Sequence, residues 1–202
     1  MKKIVVPGEM VSEERKKLGE HVFVENGKVL SDCIGIVVEN PNIASVIPLH
    51  GIYLPKQGDI VIGIVESEKF SGYTVDVDCV HTSYISKESW MRNIKPGSVI
   101  SAKVNDVNEL GEPKLSEVRV LNDVEIIKVS PVKIPRIIGK NNSMLDVLRE
   151  GTKSFMVVGK NGFVAVKGGD IMLLTKALRL IEKKSHLSDL TNGVQKFLKK
   201  GE

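Results

Sequence analysis

The stretch with the clearest chemistry is Arg136-Ile137-Ile138-Gly139-Lys140-Asn141-Asn142-Ser143, basic and opened by a glycine. Set between a short helical turn and the start of a helix, it combines the features that hold a phosphate. Helix amides and their dipole favour an anion, Gly139 admits close backbone approach, and Lys140 with Arg136 supplies charge. A second group is aromatic: Phe70, Tyr73 and His81 flank an alternating apolar segment. Rings of this kind form a stacking platform, worth about 1 to 3 kcal/mol per base and tolerant of any base. Asp76 and Asp78 form a carboxylate pair, but Val75-Asp76-Val77-Asp78 is the alternation of a half-buried strand with one solvated face. No histidine or third carboxylate flanks them, and metal catalysis needs more ligands than two. Ser12, His21 and Asp32 lie singly, without the grouping of a nucleophilic triad.

Charge is unevenly distributed. Residues 1–127 hold 14 Lys+Arg against 19 Asp+Glu, whereas residues 128–202 hold 15 against 6, a net +9. A basic block on an acidic chain points to one localised face for a polyanion, because neutralisation of phosphates dominates nucleic-acid affinity. Residues 57–127 hold seven cations against twelve acids, Glu109 and Glu112 among them. The rings there are therefore expected to stack and guide, with help from Arg92 and Lys95, while the basic block supplies most of the attraction. The two cysteines, Cys33 and Cys79, make no CxxC pair, so neither a zinc ribbon nor a disulfide framework is indicated and no metal or cofactor is expected. A reducing, cytoplasmic setting fits. Apolar runs fall short of the ~20 residues that span a bilayer, and no signal peptide or membrane anchor is read.

These groups need a scaffold of small modules, mainly β and then α+β. In residues 1–56 short apolar runs alternate with Pro7-Gly8, Asn26-Gly27 and Asn40-Pro41, the pattern of strands between turns. Asn26-Gly27 predicts a tight hairpin turn, since both residues tolerate positive φ. Residues 57–127 carry about five short strands, including Ile60 to Val65, Tyr73 to Val80 and Val99 to Val107, which favours a closed barrel. From residue 124 the period changes, with a strand over Val124 to Val129 and a short irregular or helical turn over Pro131 to Ile138. A helix is expected with Ser143 as N-cap and Gly151 near its stop, then a hairpin over Phe155–Val158 and Phe163–Lys167 turned by Gly159-Lys160-Asn161-Gly162. Asp170 opens the longest helix, with Ile171, Leu174, Leu178 and Ile181 on its apolar stripe. Leu187 to Lys200 predicts a weaker helix, interrupted by Asn192-Gly193.

The order strand, turn, loop, helix, hairpin, helix over 124–184, with Gly139 opening the loop, resembles a KH domain, whose GXXG loop clamps a nucleic-acid backbone; Asn142 stands here where the second glycine is usual. Phe70-Ser71-Gly72-Tyr73 followed by Val80-His81-Thr82-Ser83 resembles the ribosomal-type OB-fold RNA-binding barrel. The Val5-Val6-Pro7-Gly8 opening and the GxNG hairpin extend the resemblance to essentially residues 1–200. Together they are similar to archaeal members of the family named ribosomal-RNA-processing protein four, a cap subunit of the exosome. The resemblance implies an N-terminal β-domain for ring docking (1–56), an OB-type barrel (57–127) and a KH-type domain with a helical tail (128–202). It also implies a non-catalytic, trimeric cap on a hexameric ring of RNase PH-like subunits, binding single-stranded RNA and feeding its 3′ end into the ring. Rival readings are a stand-alone OB/KH transcription or translation factor, a nuclease built on Asp76 and Asp78, and an assembly scaffold.

Overall fold

The computed structural model describes residues 3–13, 16–38, 40–87, 94–185 and 190–200. The chain divides into two compact units, residues 1–51 and 52–202. The first holds seven short strands among its described residues: β1 (Ile4–Val5), β2 (Met10–Ser12), β3 (Lys17–Leu18), β4 (Val22–Glu25), β5 (Lys28–Ser31), β6 (Gly35–Val38) and β7 (Ile43–Pro48). They form one sheet in the order β1-β6-β7-β3 and another in the order β2-β5-β4. The β4–β5 hairpin turns on Asn26 and Gly27, both at positive φ (50° and 77°), as the dipeptide predicts. Val5, Val29, Ala44 and Val46 are buried. Cross-strand pairing aligns Ile4, Ile36 and Ile47 in one row. Ile4 and Ile47 remain 60% and 54% exposed, so this row leaves an apolar strip uncovered within the unit.

The second unit begins with a barrel of β8 (Ile60–Lys69), β9 (Gly72–Asp76), β10 (Ser83–Ser86), β11 (Val99–Val107) and β12 (Pro113–Leu121). The sheet closes in the order β8-β9-β10-β12-β11, with β11 returning to β8. β10 and β12 pair parallel and every other pair is antiparallel, the Greek-key closure of an OB-type barrel. Val61, Val65, Val75, Ile85, Ile100 and Val104 fill it. Tyr53, ahead of the first barrel strand, bridges to Cys79 and is part of the same core.

The rest of the unit is β13 (Glu125–Lys128), α1 (Ile134–Ile138), α2 (Ser143–Thr152), β14 (Phe155–Val158), β15 (Phe163–Lys167), α3 (Ile171–Lys184) and α4 (Leu190–Lys200). The sheet runs β13-β15-β14, fully antiparallel, and Leu148, Leu174, Leu178 and Ile181 lie in the helical core beside it. This βααββα order is that of a KH module. Asp170 caps α3 as expected, its carboxylate accepting the Leu173 N–H at 2.8 Å. Ser143 does not cap α2: it is already helical (φ −54°), and the N-cap is Asn142 in a left-handed conformation with no side-chain bond to the helix. α2 ends at Thr152, one residue past Gly151, with Lys153 in the left-handed closing position. A Cβ on Gly151 would sit 2.7 Å from Leu198 Cδ1, so the glycine is what lets α4 approach α2 closely. That contact explains why α4 forms despite Gly193: Leu190, Val194 and Leu198, spaced at four residues, are all buried.

The barrel and the α/β module are joined through the Gly159-Lys160-Asn161-Gly162 turn. Asn161 is fully buried. Its Nδ2 donates to the carbonyls of Ile62 (2.7 Å) and Val77 (2.9 Å), and its Oδ1 accepts the Ile62 N–H at 3.1 Å. The Lys160 N–H adds a bond to the Ile60 carbonyl at 2.8 Å. Only Gly162 of the expected Asn-Gly pair takes positive φ (90°), because Asn161 faces the barrel rather than turning the chain. Ile62 also joins Phe163 and Ala165 in a small apolar cluster across the same junction.

Candidate nucleic-acid interface

The loop Gly139–Asn142 lies between α1 and α2. Ile134 and Ile137 are buried, which fixes α1 and leaves Arg136 on the exposed side. Gly139 has φ 74° and ψ 173°, and a Cβ would stand 2.7 Å from the Met144 N and 3.0 Å from the Ser143 Oγ. No other residue fits there without displacement of α2. Lys140, Asn141 and Asn142 continue as an exposed turn, with Asn141 at φ 52° and Asn142 at φ 64°. Asn142 thus keeps the left-handed conformation that a second glycine would take, as asparagine can do at modest cost. Asn142 makes no side-chain cap on α2, and the Ser143 N–H is taken by the Lys140 carbonyl, so the exposed groups that the loop offers an anion are the side chains of Arg136, Lys140, Asn141 and Asn142. Lys133, half-buried in the preceding turn, extends the basic surface. Its ammonium is held below its usual pKa, first by burial and then by the neighbouring Arg136 charge, against the opposing pull of Glu182. Glu182 itself is engaged, accepting from the Ser130 N–H (2.8 Å) and from Arg179 (3.0 Å).

The aromatic platform expected on the barrel is not assembled as one surface. Tyr73 is 1% exposed and belongs to the barrel core, so its ring cannot stack on a base. The cause is visible in the alternation: Tyr73, Val75 and Val77 share one face of the strand, and that face is the inside. Phe70 is fully exposed, in the turn between β8 and β9. His81 is also exposed, but it lies just before β10, beside Gly111 in the loop that precedes β12. Because Gly72 pairs with Ser86 and Val75 with Ser83, Phe70 and His81 mark opposite ends of the barrel. Exposed Lys69 and Lys95 are at the Phe70 end, with Lys87 paired to Glu68 (2.5 Å) above the Tyr73 ring. The His81 end carries Glu109 and Glu112. Among the described residues the Phe70 end thus sets two exposed lysines beside an exposed ring, with Glu68 engaged by Lys87 and Glu66 exposed on β8. Lys69 escapes sequence reasoning because it reads as an ordinary strand-end charge. Arg92 lies outside the described residues.

Asp76 and Asp78 are occupied locally. The Asp78 N–H donates to Asp76 Oδ1 at 2.8 Å, and Asp78 accepts from Lys128 at 2.6 Å. Asp78 has φ 55° and falls after the end of β9, so the two do not continue one strand face. His21 and Asp32, which look scattered in sequence, are adjacent in the first unit at 3.2 Å.

An OB-type barrel fused through a buried asparagine to a KH module, with an exposed basic loop on the latter, defines a chain of the OB–KH class of nucleic-acid-recognition folds. Comparison with known proteins narrows the class. Residues 2–50 match the family model described as the exosome RNA binding protein RRP4 N-terminal domain. The exosome complex component Rrp4 of Methanosarcina barkeri is 35% identical, over 98% of this chain and 82% of its own length. That of Pyrococcus furiosus is 30% identical, over 98% of this chain and 83% of its own. A crystal structure described as an exosome complex RNA-binding protein superposes with a TM-score of 0.66 at 26% identity, over 74% of this chain and 97% of its own. The chain belongs to the Rrp4 family of exosome complex components. Among the described residues no helix is long and apolar enough to cross a membrane.

Proposed function

We propose that this chain is a non-catalytic RNA-binding cap subunit of a cytoplasmic archaeal exosome. It seats on a hexameric ring of RNase PH-like subunits as one of three caps and delivers the 3′ end of single-stranded RNA to the ring for 3′-to-5′ degradation. The observation that carries this reading is the exposed Arg136 and Lys140 at the Gly139–Asn142 loop, in a chain related over 98% of its length to exosome complex components. The residues proposed to contact RNA are Arg136, Gly139, Lys140, Asn141 and Asn142 on the KH module and Phe70 and Lys95 on the barrel, together with Arg92 from the same stretch of sequence. His81, at the acidic end, is a weaker member of the set. The N-terminal β-domain is the proposed docking surface, supported by the uncovered row Ile4-Ile36-Ile47, since exposed apolar strips mark contact sites.

The test is degradation of a 3′-tailed RNA by a purified RNase PH-type ring, with and without this chain, beside the chain alone. An inert chain that co-elutes with the ring and increases the rate or processivity of degradation supports the proposal. Absence of both association and effect would move the assignment to a stand-alone OB/KH factor, and turnover by the chain alone would make it an enzyme.

A further inference from the structure

We propose that His21, Asp32 and Cys33 form a binding site for a divalent transition-metal ion of the zinc class. The three donor atoms lie within 4.8 Å of one another, and His21 Nδ1 stands 3.2 Å from Asp32 Oδ1. A tetrahedral zinc ion with N and O ligands at ~2.0 Å and S at ~2.3 Å holds neighbouring donors roughly 3.2 to 3.8 Å apart, so one edge of the tetrahedron is already set and closure needs only a small movement of the thiol.

The site is built by the β4–β5 hairpin. Val22 pairs with Ser31, which makes His21 and Asp32 the next opposed positions, and the Asp32 N–H donates to the His21 carbonyl at 3.3 Å. Ser31 is fully buried and anchors the backbone of Cys33: its Oγ donates to the Cys33 carbonyl (2.7 Å) and accepts the Cys33 N–H (3.3 Å). His21 is held at φ 59°, a conformation uncommon outside glycine, with its ring directed to the carboxylate. Imidazole, carboxylate and thiolate together select a borderline-soft ion. Calcium and magnesium prefer oxygen ligands alone. His21 and Cys33 are half-buried and Asp32 is exposed, which leaves a fourth position open to water. A bound ion ties the open end of the hairpin, and its binding free energy adds to the stability of the folded unit. None of the three donors belongs to the residues proposed to contact RNA.

The experiment is titration of the reduced, metal-free full-length chain with Co²⁺, followed by displacement with Zn²⁺. One ion per chain is expected, giving a thiolate-to-cobalt charge-transfer band in the near ultraviolet and the intense visible bands of four-coordinate cobalt. Cys33→Ser should abolish the charge-transfer band. His21→Asn and Asp32→Asn should each weaken binding by more than about tenfold, since even indirect partners of a metal are worth about 10- to 100-fold. Cys79→Ser should leave the titration unchanged, and Zn²⁺ should raise the melting temperature of the wild-type chain but not of Cys33→Ser. No saturable binding by the wild-type chain, or bands that survive in Cys33→Ser or vanish in Cys79→Ser, would overturn the site and leave His21 and Asp32 as a hydrogen-bonded pair.

Discussion

Gly139-Lys140-Asn141-Asn142 and Gly159-Lys160-Asn161-Gly162 are almost the same tetrapeptide, twenty residues apart in one module, and the fold uses them in opposite ways. The second is the better GXXG by sequence. Yet it is the inward one: Gly159, Asn161 and Gly162 are buried, and Asn161 binds three backbone groups of the barrel. In the first, Lys140, Asn141 and Asn142 are all exposed and both asparagines are left-handed. Position in the topology decides the outcome. A turn between α1 and α2 opens onto a helix N-terminus, whereas a turn between β14 and β15 meets the edge of the neighbouring barrel. The same asparagine is a turn residue in one case and a structural bolt in the other.

The largest effect that tests this contrast is expected from Asn161→Ala. It leaves the Ile62 N–H and the carbonyls of Ile62 and Val77 without their partner in a buried site. At about 1 to 3 kcal/mol for each unsatisfied group, partly offset by water entry, the loss is roughly 3 to 5 kcal/mol of unfolding free energy. Urea denaturation checks it. Gly159→Ala should reproduce much of the effect, because its Cβ would collide with Asn161 Oδ1 and come within 2.8 Å of the Ile62 N. Asn141→Ala, at the equivalent place in the outward turn, should cost no more than about 1 kcal/mol, the preference for asparagine in the left-handed region. Equal losses at 141 and 161 would erase the distinction.

Charge reversal separates the two turns by function. Arg136→Glu with Lys140→Glu is expected to weaken single-stranded RNA binding by about 10- to 100-fold and to flatten the salt dependence by roughly 1.4 in the log–log slope, the share of two phosphate contacts. Lys160→Glu is the matched control. Lys160 is exposed, but its backbone is pinned to Ile60, and reversal there should change affinity by less than about threefold. Filter binding at several salt concentrations measures all three. On the barrel, Phe70→Ala should remove about 1 to 3 kcal/mol if one base stacks there. His81→Ala should remove less, because the acids at its end repel phosphate.

Period and turn chemistry make much of the scaffold legible. Strands at Val99–Val107, Phe155–Val158 and Phe163–Lys167 match the alternation read from sequence, and Asp170 caps α3 as its type and place suggest. Tyr73 is a core residue rather than a stacking ring, and the signal for that exists, since its parity matches Val75 and Val77 rather than the solvated positions. The meeting of His21 with Asp32 is also computable: a two-residue turn at 26 and 27 pairs residues whose numbers sum to 53, and these two satisfy it. The role of Asn161 is not legible. Its partners Ile62 and Val77 are 99 and 84 residues away, and no local pattern encodes that approach. Gly151 is similar, a glycine required by a neighbour, Leu198, that only the packed α4 supplies.

The smallest and most discriminating change is Asn142→Gly, which gives the outward turn the sequence of the inward one. Asn142 sits at φ 64°, where glycine is favoured, so the substitution relieves a cost of a few tenths of a kcal/mol and does not disturb a side-chain cap, because Asn142 makes none. Removal of its side chain also lets a phosphate come closer to the backbone of the turn. Affinity for RNA should rise by about two- to fivefold, under 1 kcal/mol, with the salt slope unchanged because no charge is added. A gain without a change in slope would show that backbone approach limits this loop. A loss would mean that the Asn142 amide itself contacts the nucleic acid, and that the departure from glycine is a feature of recognition rather than a tolerated substitute.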